Sequence, residues 1–122
     1  MKRFLKSVSF AVAGLRTAAQ EQPNLRIHSV AMLLVLFAGL VCDITLAEWL
    51  IIILTCGFVL TAEVLNSAIE KVVDLASPAI HPLAKQAKDL AAGAVLIAAI
   101  TAVVIGVLIF GKYFFNFLSD YL

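Results

Sequence analysis

The chain has 122 residues, 63% of them hydrophobic and 14% charged, and a mean hydropathy of +1.07. A soluble domain of this size needs far more polar surface, so the composition describes one domain that lives in a membrane. The formal net charge of +1 names no partner, and no basic run or basic–aromatic face exists to follow a nucleic-acid backbone.

The first element covers residues 1–22. Leu5, Val8, Val12, Leu15 and Ala19 fall on one helical face, and Lys2, Lys6, Ser9, Arg16 and Gln20 on another. That pattern predicts an amphipathic helix lying in the headgroup plane. Arg16 and Gln20 interrupt any apolar core, so the segment does not read as a signal peptide. Pro23 and Asn24 break the pattern.

Three membrane helices follow, at about 27–47, 48–74 and 83–111. The first holds the uncharged run Ser29–Cys42 and ends near Asp43 and Glu48. The second runs uncharged from Trp49 to Ala62, and its helical pattern continues through Glu63 to Asp74, so it leaves the bilayer partway along its length. Trp49 suits an interfacial position. Ser77, Pro78, His81 and Pro82 form a connector. The last span, Leu90 to Gly111, is free of charge. Cys42 and Cys56 lie in apolar stretches with no metal or disulfide spacing and read as small buried hydrophobes.

Orientation follows from the cations. Lys2, Arg3, Lys6, Arg16 and Arg26 precede the first span; Lys71, Lys85 and Lys88 flank the connector; only Lys112 lies beyond the last span. The positive-inside rule predicts a cytoplasmic N-terminus and connector.

The chemistry is concentrated in residues 63–74. At about 100° per residue, Glu63, Asn66, Glu70 and Asp74 share an arc of roughly 80°. A carboxylate at membrane depth is costly and points to function. A merely structural polar stripe accounts for Asn66 but not for stacked acids, which repel one another and attract a divalent cation; Lys71 is off the stripe. Lys88 and Asp89 open the last helix beside the end of this stripe, where a helix N-terminus also favours anions. A metal on carboxylates, a lysine and an amide match the needs of phosphoryl transfer, which are charge neutralisation and alignment. No glycine-rich nucleotide loop is present, so a nucleotide site has to be built from helix faces.

The run E-x-x-N-S-A-I-E-x-x-V-D at 63–74, with A-K-D at 87–89 and A-A-G-A-V-L at 91–96, resembles the prokaryotic diacylglycerol kinases over almost the whole chain. H-P-L-A-K at 81–85 and N-L-R-I-H at 24–28 are more similar to the undecaprenol kinase branch. The resemblance implies a homotrimer with shared sites in the bacterial cytoplasmic (inner) membrane. It also implies ATP-dependent, direct in-line phosphorylation of a lipid alcohol, diacylglycerol or undecaprenol, with no phosphoenzyme. Glu63 would be the general base and, with Arg16, would face the lipid. Glu70 would hold Mg²⁺. Arg3, Asn66, Glu70, Asp74, His81, Lys88 and Asp89 would contact ATP. The family's second metal-binding glutamate falls on Gln22, with Glu21 one residue earlier, so either could complete the metal shell. Two other readings compete: a small proton-coupled exporter using Glu63 as proton carrier, and a catalytically dead membrane scaffold.

Overall fold

The computed structural model describes residues 1–121, and four α-helices account for nearly all of them. They are α1 (Lys2–Glu21), α2 (Pro23–Val41), α3 (Leu46–Ala76) and α4 (Pro82–Tyr121). The last three are long and apolar enough to cross a membrane. The protein is thus an all-α, multi-pass membrane protein. Leu33, Phe37, Leu54, Val103 and Leu108 stand exposed, as side chains facing hydrocarbon rather than water do.

α1 is amphipathic and carries one buried residue, Ala18. Its stripe of Leu5, Val8, Val12 and Leu15 stays exposed, as a helix embedded in headgroups requires. Gln22 alone joins α1 to α2, with extended backbone (φ −103°, ψ 107°). Pro23 explains both sides of this joint. It disfavours helical geometry at Gln22 and suits the first position of α2. The first span accordingly begins at Pro23 rather than near residue 27.

That span also ends at Val41 rather than near 47, because a Schellman-type turn closes it. The amides of Asp43 and Ile44 donate to the carbonyls of Leu40 (3.4 Å) and Gly39 (3.2 Å), and Asp43 adopts φ 49°. Thr45 then caps α3. Its hydroxyl accepts from the Glu48 amide (3.4 Å) while its own amide donates to Glu48 Oε2 (2.9 Å), a reciprocal capping box. Gly39 is required here: a Cβ would lie 2.8 Å from Trp49 Cη2 and 3.1 Å from Ile44 Cδ1. Trp49 therefore packs inward, and the apolar core of Ile44, Ile52 and Ile109 gathers at this turn end of the bundle.

α4 continues well past Gly111. Lys112 does not end it, because the charge is matched within the protein: Nζ lies 2.5 Å from Glu48 Oε1. The adjacent Tyr113 hydroxyl donates to Glu48 Oε2 at 2.8 Å. α4 packs along α3, and α2 packs on α3 from another side. The polar chemistry lies at the opposite, connector end.

Candidate active site

α3 presents Ile52, Val59, Glu63, Asn66 and Ser67 to the protein interior. The first two are core residues; the last three turn the same face polar toward the connector. Glu63 is 1% exposed. Ser67 spends its hydroxyl on its own helix, donating to the Glu63 carbonyl at 2.9 Å. Asn66 Nδ2 donates to Glu70 Oε1 at 3.0 Å. Glu63 Oε2 and Asn66 Oδ1 are left buried without a hydrogen-bond partner. Buried polar atoms are normally satisfied, so a side-chain acceptor pair left open at one spot marks a place built to receive something.

One turn further, Asp74 leaves the interior and meets Lys88 of α4, Nζ to Oδ1 at 2.5 Å. Lys85 pairs with Asp89 on the same helix. His81 caps α4, its Nδ1 accepting from the Leu83 amide at 3.2 Å. These residues surround a cleft of about 280 Å³ between the end of α3, the connector and the first turns of α4; Asp74, Ser77, His81, Lys85, Lys88 and Asp89 all line it.

The structure thus brings seven of the residues singled out in the sequence to one end of the bundle: Glu63, Asn66, Glu70, Asp74, His81, Lys88 and Asp89. It leaves others apart. Arg3 and Arg16 are exposed on α1, and Arg3 stands about 27 Å along the helix axis from Glu21. Glu21 is bound to Lys71 rather than turned toward Glu70, and Gln22 is committed to the interhelical joint. Among the described residues, no three His, Cys, Asp or Glu side chains converge as a ready metal cage. The donor set still fits Mg²⁺. Glu70 and the open Asn66 Oδ1 offer hard oxygens, and Mg²⁺ typically takes one or two carboxylates, completing its shell with water and phosphate.

Lys85, the last residue of the 81–85 motif, also lines the cleft. Its signal was its spacing, since residues 85, 88 and 89 share one face of α4.

A family model described as "Prokaryotic diacylglycerol kinase" matches residues 9–110. The chain belongs to the prokaryotic diacylglycerol kinase family. It is similar to the undecaprenol kinase of Bacillus subtilis, 43% identical over 110 residues, covering 90% of this chain and 89% of that one. It is also similar to the diacylglycerol kinases of Helicobacter pylori (36%; 92% and 84% covered) and Escherichia coli K12 (34%; 92% of each chain). Its chemistry is therefore that of a lipid kinase, and the exporter reading finds no support. In this kinase the acids of α3 and the lysine of α4 lie where helical periodicity predicts them.

Proposed function

We propose that the kinase transfers the γ-phosphoryl group of ATP to the hydroxyl of a membrane lipid alcohol, diacylglycerol or undecaprenol. The observation that carries this reading is the buried, unpartnered Glu63 carboxylate, on the same helix as the Asn66–Glu70 pair and as Asp74, which meets Lys88 at the cleft.

Glu63 accepts the proton of the lipid hydroxyl as the oxygen attacks phosphorus in line. Lys88 exchanges Asp74 for a phosphate oxygen, and the N-terminal turn of α4 adds its dipole. Asn66 contacts phosphate through its amide. Asp74, Asp89 and His81 flank the nucleoside end. Glu70, with Glu21 or a water in support, would hold Mg²⁺, which when bound neutralises charge on the phosphates. The transfer is direct, without a covalent intermediate.

Arg3 and Arg16, exposed on α1, do not line the cleft. A homotrimer, in which a neighbour's α1 completes each site, supplies what one chain lacks. The positive-inside distribution supports a cytoplasmic N-terminus and connector, on the side of a bacterial inner membrane where ATP is found.

The test is ATP consumption in detergent micelles with diacylglycerol and undecaprenol side by side. Glu63→Gln is expected to lower turnover by at least about a hundredfold and leave nucleotide binding intact; near-normal turnover in that variant removes Glu63 from the role of base.

A further inference from the structure

The family match covers residues 9–110, but α4 runs on to Tyr121. Lys112 and Tyr113 are held level with the first turn of α3 by Glu48. The rest of α4 outruns the start of α3 by about 9 Å.

The helical repeat shows what this overhang presents. Residues 18 apart in a helix are separated by about five full turns and share one face. Leu96, Ile97 and Ile100, in the part of α4 that crosses the membrane, are exposed by 61%, 68% and 55%. Eighteen residues on stand Phe114, Phe115 and Leu118, exposed by 63%, 76% and 38%. The lipid-facing stripe thus continues in register and becomes largely aromatic. The opposite face changes character. Ala98 is buried against the bundle, and its counterpart five turns on is Asn116, which is exposed. Ile109, a core residue, precedes Asn116 by about two turns. Beyond the start of α3, the side of α4 that faced protein turns polar, while the side that faced hydrocarbon stays apolar.

That division selects the occupant. Continuity with the hydrocarbon-facing stripe points to the bilayer itself. Phe114 to Leu118 lie about 2–8 Å beyond Tyr113, the depth of a headgroup layer of about 5–8 Å on each side. Residues 113–119 contain no charged side chain, which suits zwitterionic or uncharged headgroups.

We propose that the overhang of α4 is a lipid-interface anchor. Phe114, Phe115 and Leu118 lie at the boundary of headgroups and acyl chains in the leaflet at the turn end, as the apolar face of an interfacial helix does. The Glu48 contacts with Lys112 and Tyr113 tie this anchor to the start of α3. The protein is then held at both surfaces of the bilayer, by α1 at the connector end and by α4 at the turn end.

The test uses the full-length protein in phosphatidylcholine nanodiscs, with Cys42 and Cys56 replaced by alanine. One nitroxide at a time is placed on Phe115→Cys, Leu118→Cys or Asn116→Cys. The ratio of its collisions with oxygen to those with a water-soluble nickel chelate is expected to be several-fold higher at positions 115 and 118 than at 116. Phosphatidylcholine bearing a diazirine near its headgroup is expected to label residues 114–118. The combined variant Phe114→Ser, Phe115→Ser and Leu118→Ser is expected to lose that labelling and keep its oligomeric state. Equal access of the nickel chelate to all three positions makes the overhang a segment in water and overturns the inference. Nitroxides at 115 and 118 closed to both reagents, or a changed oligomeric state of the serine variant by light scattering, make this face a contact with a second copy and overturn it as well.

Discussion

Glu63 and Lys88 separate two kinds of residue effect. Glu63 is buried with a carboxylate oxygen unsatisfied, an arrangement that costs stability. Glu63→Gln is thus expected to lower kcat by about 10²- to 10⁴-fold, the usual worth of a general base, while the thermal midpoint stays level or rises. A fall in that midpoint would mean the carboxylate has an unseen structural partner. Lys88→Ala should raise the KM for Mg-ATP about tenfold or more through loss of a charge-assisted contact. Its ion pair with Asp74 is well exposed, with side chains 38% and 66% accessible, so its loss should cost no more than about 1 kcal/mol of stability. Equal damage to KM and to stability would make Lys88 a structural residue.

At the scale of elements, the turn between α2 and α3 is the most constrained part of the chain. Gly39→Ala drives a methyl group into the Trp49 ring, which is held in place by the core. A loss of about 1–3 kcal/mol is expected from such overpacking, read as a lower thermal midpoint in detergent. Gly14→Ala is the control, since nothing lies within 4 Å of its would-be methyl. Glu48→Gln weakens the ion pair to Lys112 and perturbs the bonds from Tyr113 and Thr45. It should lower the midpoint and leave both KM values unchanged, because the candidate site lies at the other end. A raised KM would reveal coupling along α4.

These same elements show what was legible in the sequence. The acids of α3 were readable because a helix converts spacing into a face. The ends of α2 and α4 were not. Pro23 reads equally as a breaker and as a first helical residue, and Lys112 reads as an exit to water until Glu48, distant in sequence, is seen to meet it. Pair choices such as Lys71 with Glu21 depend on how whole helices approach, which no local pattern encodes.

For the whole molecule, the two ends differ in chemistry as well as in charge. The turn end is capped, paired and packed; the connector end holds the open cleft. With Cys42 and Cys56 replaced by alanine, a membrane-impermeant maleimide is expected to reach Ala79→Cys only from the cytoplasmic side and Ala47→Cys only from the opposite side, both positions being exposed. Labelling of both from one side would break the proposed topology.

The joint at Gln22 has a mechanical consequence. A single extended residue gives almost no slack between a helix that floats at the surface and one that is threaded through the bilayer. The exposed Glu21–Lys71 pair lies at the same spot, between α1 and α3. A shift in the height of α1 is therefore passed to the start of α2, so on the proposed topology bilayer thickness and surface charge become inputs to the position of the first span.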